Sequence, residues 1–298
     1  RVTGLPAPLQ EVLKFVRTPD KRTAKNSRRY HARPLHGPFG APMHEPLVGA
    51  LRRTAVSRPK NTLTSQEETT MTTATFRGFS PKALRFLRDL ARNNDRSWFT
   101  SRKTTYETEL LEPLRALVAD ATSAMRRARV PLGADPRRSS FRIYRDIRFS
   151  PDKSPYKTNV AAFLARNGDR EAAGGLYVHI QPKNSFLACG FYQLDKELLH
   201  RWREAMAAEP ARFAATLRAL ERNALHLSEE HQELKRMPRG FEAHADTPLA
   251  KYFRTSSFIV GEDLTDDLVS TSALVDHIVD FAKRAKPLFT YGWALSDR

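Results

Sequence analysis

The sequence predicts an α+β fold, an antiparallel β meander of about four or five strands packed with N-terminal, central and C-terminal helices. Three observations predict it. Apolar residues recur at helical spacing in blocks near residues 80–127 and again beyond 195. Between them lie runs rich in β-branched and aromatic residues, linked by short Pro, Gly, Asn, Asp and Lys connections. Helices and strands are therefore segregated rather than alternating, which disfavours a parallel sheet.

The first helix begins at Ser80, an N-cap followed by Pro81 at the first helical position, and it carries Leu84, Leu87, Leu90 and Ala91 on one face. Asp95 caps a second helix holding Trp98, Phe99, Tyr106, Leu110, Leu114 and Leu117 and running to about Arg127, in which Pro113 should start a new turn or kink the helix. "VPLGADPRR" reads as a loop. "SSFRIYRDIRF", "NVAAFLA", "GGLYVHIQP" and "SFLACGFYQL" follow as four consecutive strands. Asp195 opens a helix to about Ala207, and "EPARFAATLRALERNA" continues as another. "TPLAKYFRTSSFIVGEDL" is a short helix and a strand, and "STSALVDHIVDFAKRAKPLF" is an amphipathic helix with Leu274, Ile278 and Phe281 together.

Of the 298 residues 40% are hydrophobic, enough for a real core, and the formal net charge is +17. Residues 1–70 hold 13 Lys/Arg against five Asp/Glu, while residues 71–298 hold 37 against 28. The first 70 residues also contain eight prolines and little apolar periodicity, so they are expected to be a disordered basic tail. A nucleic-acid-binding arm and an Arg-rich targeting peptide are two readings of that tail. Upstream sequence ahead of a true start at Met71 is the favoured third. Residues 71–298 then form a single α+β domain. No run of about 18 apolar residues and no signal-peptide pattern occurs, so the expectation is a cytoplasmic protein with no membrane partner. The one cysteine, Cys189, has no second thiol for a disulfide or a zinc site.

The informative stretch is "RIYRDIRFSPDKSPYKTN", residues 142–159, which places Arg142, Arg145, Arg148, Lys153 and Lys157 within sixteen residues. Read as a strand, it puts Phe141, Ile143, Arg145, Ile147 and Phe149 on one face and Arg142, Tyr144, Asp146 and Arg148 on the other. An arginine on an apolar face needs a carboxylate partner or a bulge that turns it outward. In "LYVHI", Leu176, Val178 and Ile180 are apolar, leaving Tyr177 and His179 opposite. If the polar faces join, they line one surface, and the proline-stiffened turn hangs Lys153, Tyr156 and Lys157 over its end. Such a surface suits a phosphate-bearing or carboxylate ligand. A solvated sheet face with cross-strand pairs is the competing explanation.

These residues resemble the bacterial and fungal proteins grouped as domain of unknown function 2461, through the block R-x-Y-R-D-x-R-F-S-x-D-K-x-P-Y-K-T. The resemblance extends to Asn94, Arg96, Trp98, Phe99, Lys103 and Tyr106, to "GGLYVHI", and to Lys235, Arg236, Pro238, Gly240 and Phe241, over roughly residues 76–295. It implies one conserved domain and supplies no catalytic residues. "LKRMPRGF" is a second basic turn, whose Arg236 would join the site if the loop folds back over the sheet.

No phosphate-binding Gly-Lys loop, dinucleotide Gly pattern, "HExxH" or "GxSxG" occurs, so no cofactor is expected. "EEHQE" at residues 229–233 lacks the spacing to gather metal ligands on one side. The leading expectation is a binder of an anionic small molecule or phosphate group. The alternatives are a nucleic-acid-binding module and an enzyme acting on a phosphoester or acidic metabolite, with His179 or Asp146 as proton carrier.

Overall fold

The computed structural model describes residues 75–229 and 234–297. The expectations for the basic tail and for most of "EEHQE" lie outside the described residues.

Helix α1, Pro81–Arg92, starts as predicted, with the Ser80 hydroxyl accepting from the Ala83 amide and donating to Glu109. Asp95 caps α2, Arg96–Thr100, by accepting from the Trp98 amide. The long helix expected next is broken, because the chain restarts as α3, Lys103–Tyr106, and passes through a π-helical turn, Glu107–Leu111, into α4, Glu112–Arg127. Pro113 has no amide proton for the ladder, and just before it the Glu112 amide reaches five residues back to the Glu107 carbonyl. Of the two outcomes expected for Pro113, the structure shows the new turn, with the proline in the first turn of α4.

Five antiparallel strands follow in the order β1–β5: Leu132–Gly133, Val160–Arg166, Gly175–Ile180, Ser185–Phe191 and Phe258–Leu264. Between β4 and β5 run α5, Lys196–Ala208, capped by Asp195, then α6, Pro210–Arg222, and the short α7, Ala250–Phe253. After β5 come α8, Asp266–Val269, α9, Leu274–Arg284, and α10, Lys286–Ser296. The single C-terminal helix expected from periodicity is two, since Pro287 sits at the second position of a new helix after Ala285.

The strand predicted over residues 139–149 is not one. Ser139–Phe141 touches the edge of β2 through one bridge, Ser140 to Ala162, and Tyr144 bridges Tyr156. Instead the two-residue β1, inside the segment expected to be a loop, pairs with the end of β2. Alternating apolar residues at 141–149 imitate a strand, but no neighbour accepts their backbone ladder along its length.

Register explains the layers. Leu164, Leu176, Cys189 and Val260 lie across the sheet in one row and join the core that the helices cover. Leu274, Ile278 and Phe281 of α9 are buried in that core, as their spacing predicts. The opposite face carries the row Ala161, His179 and Phe186, and beside it Phe163, Tyr177 and Ala188. There His179 stacks on Phe186 with ring centroids 4.6 Å apart, and Phe141 meets Tyr177 edge-on at 5.6 Å.

Candidate functional site

Residues 143–157 form a hairpin that leaves the sheet. Its base is tied by the Arg145 amide to the Pro155 carbonyl (2.9 Å) and the Lys157 amide to the Ile143 carbonyl (2.8 Å). Within it, Arg145 has the partner its position demanded. The guanidinium bonds the Asp152 carboxylate across the turn and reaches the Ser154 carbonyl at 3.3 Å, leaving the side chain 10% exposed. Asp152 is drawn down to about 2 by hydrogen bonds from Ser154 and then by Arg145. Asp146 is likewise held at about 2, first by the Arg148 side chain, which meets its two oxygens at 3.0 and 2.7 Å. Lys153 donates to the Ile147 carbonyl at 3.1 Å.

The hairpin is fastened to α2 from outside. Asn94 donates to the Tyr156 carbonyl (2.9 Å) and accepts from the Tyr156 amide (3.0 Å), satisfying both backbone groups of one residue. Tyr156 then lies flat against Phe99 at 4.1 Å, with Tyr144 5.4 Å from Tyr156. Phe99 meets Tyr106, whose buried hydroxyl is pushed up to about 12 by desolvation. We predict that Asn94→Ala costs about 2 kcal/mol, two hydrogen bonds in a partly buried place. Asn94→Asp keeps the acceptor, loses the donor and falls between. Chemical denaturation gives the cost, and amide exchange should quicken selectively across residues 143–157; unchanged exchange there would show that the clamp does not hold the hairpin.

The predicted site residues are thus divided. Tyr144, Arg145, Asp146, Arg148, Lys153, Tyr156 and Lys157 belong to the hairpin and Arg142 immediately precedes it, whereas Tyr177 and His179 lie buried in the sheet. The single polar surface expected to join them does not form, because 142–149 is no strand of that sheet. Only the hairpin's base approaches, through Asn159, whose amide lies 3.3 Å from His179 Nδ1, and Lys157, whose ammonium stands 5.6 Å from the Phe141 ring centre. Phe149, expected on the apolar side, is 94% exposed at the tip. Arg236 is exposed on a loop seated elsewhere, with Phe241 packed on His200 and Phe253 and the Leu234 amide bonded to the Arg254 carbonyl.

His179 is held in one state by its neighbours. Its Nε2 donates to Gln181 Oε1 at 3.1 Å, while Nδ1 receives the Tyr177 hydroxyl at 3.2 Å and the Asn159 amide. Burial first, and Lys157 to a lesser degree, lower the imidazole to about 4. Neither proton-carrier candidate has the setting of a general base near neutrality: His179 is 1% exposed and the Asp146 carboxyl, hydrogen-bonded by Arg148, is held at about 2.

The hairpin, its Asn94 clamp and the sheet beneath fall inside one continuous stretch matched by a family model, residues 82–291, described as conserved hypothetical protein (DUF2461). The chain belongs to the DUF2461 family. It matches no curated protein and no solved structure. In this DUF2461 chain Arg145 bonds Asp152 and Arg148 bonds Asp146, so two of the block's arginines have carboxylate partners within it.

Among the described residues, no group of three or more His, Cys, Asp or Glu is placed to hold a metal ion, and no helix is long and apolar enough to cross a membrane. Sequence reasoning missed Asp152 as the partner of Arg145 and gave Asn94 no role. The first was legible in principle, since a turn over two prolines brings positions seven apart together. Charge is unevenly spread: residues 75–157 hold 19 Lys/Arg and nine Asp/Glu, whereas residues 158–298 hold 18 and 19. The positive excess of the domain therefore lies in residues 75–157, in the helices, the hairpin and the segments that join them.

Proposed function

We propose that the DUF2461 hairpin and the adjoining α2–α3 segment bind an extended polyanion, single-stranded nucleic acid. The observation that carries this reading is the tip, where Phe149 stands 94% exposed beside Arg148 and in a turn with Lys153, on a hairpin pinned by Asn94. A solvated aromatic ring among cations is costly to keep in water and suits base stacking, while the cations meet phosphates. Arg96, Arg102 and Lys103 continue the exposed positive surface beyond the Asn94 clamp.

A compact pocket for a small anion asks the cations to converge. Here Arg145 is held by Asp152, and the cleft described below is not lined by hairpin residues. Arg148 is different, because its pair with Asp146 is 72% exposed on the arginine side and such pairs contribute about 0–1 kcal/mol. It exchanges its carboxylate for a phosphate at little cost.

Fluorescence anisotropy with labelled single-stranded DNA and RNA tests the proposal across a salt series. Affinity should fall linearly in log–log terms, and Arg148→Ala with Lys153→Ala should flatten the slope by about 1.4, the share of two phosphate contacts on a single strand. Phe149→Ala should weaken binding about fivefold or more with the slope kept, because stacking is not ionic. Absence of binding at about 50 mM salt, or wild-type slopes in the double variant, overturns the reading. Saturable binding of inorganic phosphate with little salt dependence would replace it with the compact-anion alternative.

A further inference from the structure

Away from the hairpin, α6 and the α9–α10 corner border a shallow, open cleft of about 610 Å³. Its apolar lining is Ala215, Ala219, Pro287 and the ring of Tyr291, the last of these buried. Its rim is cationic, with Lys283 in the last turn of α9, Lys286 at the start of α10, and Arg212 of α6. Arg212 lies over the Tyr291 ring at 5.4 Å and makes a loose pair with Glu209 at 3.7 Å. Neither Lys283 nor Lys286 has a carboxylate within ion-pair distance among the described residues, and no Asp or Glu lines the cleft.

We infer that this cleft is a binding site for a small organic anion with an aromatic or aliphatic body, a carboxylate or sulfonate whose head meets the two lysines and whose body lies on the alanine, proline and tyrosine floor. Its volume falls in the range of small-molecule sites, about 300–1,000 Å³, which are apolar with a few placed polar groups. The lysines explain the sign of the ligand. Two ammonium groups flanking an apolar floor without a compensating carboxylate repel cations and gain by taking up one negative head group. Hydrocarbon beneath them explains why the guest is amphiphilic rather than inorganic. The chain's own first 70 residues, with 13 Lys/Arg against five Asp/Glu, carry the wrong charge to fill it. A polynucleotide is disfavoured here too, since residues 158–298 hold 18 Lys/Arg against 19 Asp/Glu and lack the broad positive field of the hairpin side.

The probe is the anionic fluorophore 8-anilinonaphthalene-1-sulfonate on the full chain, with decanoate and the neutral alcohol decanol as competitors. Saturable enhancement is expected, displaced by decanoate and not by decanol. Lys283→Ala with Lys286→Ala should weaken the fluorophore by about tenfold, the worth of two partly screened charges. Both lysines are exposed, so the fold should stand, as the melting curve will check. A second variant, Ala215→Trp, fills the floor while keeping the charges and should abolish the same enhancement. Wild-type affinity in both variants, or equal displacement by decanol, overturns the site. Hairpin variants should leave this binding untouched, which separates its failure from that of the nucleic-acid reading.

Discussion

Acidification from pH 7 to 4 is expected to remove about 3 kcal/mol of stability through His179 alone. The group is 1% exposed and its imidazole is lowered to about 4, mainly by burial, against an ordinary value of 6.5. A depressed folded value means that the unfolded chain takes up a proton first. The stabilisation is complete above about pH 6.5 and is lost as pH falls towards 4. The fall from 6.5 to about 4 corresponds to roughly 3 kcal/mol. Protonation would put a second cation beside Lys157 and leave Nδ1–H facing the Tyr177 hydroxyl and the Asn159 amide, which now donate to it. The Asp146 and Asp152 carboxyls are held at about 2 and respond only in more acid solution, so the windows separate. Urea midpoints measured from pH 7 to 4.5 in the wild type and in His179→Gln decide the matter. The variant should start less stable and lose much less on acidification; parallel curves would refute the assignment.

How much of this was readable in advance follows from the range of the interactions involved. Caps act within three residues, so Ser80, Asp95 and Asp195 announced their helices correctly. Strands β2–β4 are buried and continuous, and their composition sufficed to place them. The segment at 139–149 deceived because alternation reports where side chains point and says nothing of whether a partner strand exists. With Pro151 and Pro155 on its return arm and Arg145 held by Asp152, that chain turns back on itself after two bridges. The site was legible in its charge and illegible in its geometry. Asn94 and Tyr156 are 62 residues apart, and no local pattern links them. For the same reason the sequence could not tell that His179 is sealed within the sheet, paired with Ala161 and Phe186, while Phe149 is thrust into water.

Gly190→Ala is expected to be the most damaging single methyl in the sheet, costing about 3 kcal/mol or more. Gly190 sits in β4 at φ +134°, paired with Gly175 on one side and Ile259 on the other. A Cβ there would stand 2.1 Å from the Phe258 carbonyl oxygen and 3.0 Å from Leu288 of α10. The first neighbour is backbone of the adjacent strand and cannot rotate away. Relief requires β4 and β5 to part, which also lifts the α10 contact that closes the helical layer onto the sheet. Gly240→Ala supplies the control. Its φ is +88°, so the conformational penalty is similar in kind, but nothing lies within 4 Å of the added methyl. That variant should lose only about 1–2 kcal/mol, the left-handed backbone cost. Urea denaturation of the two proteins separates strain from collision. Equal losses would mean that the β4–β5 pair yields freely, and that the close approach of the two backbones does not set the position of α10.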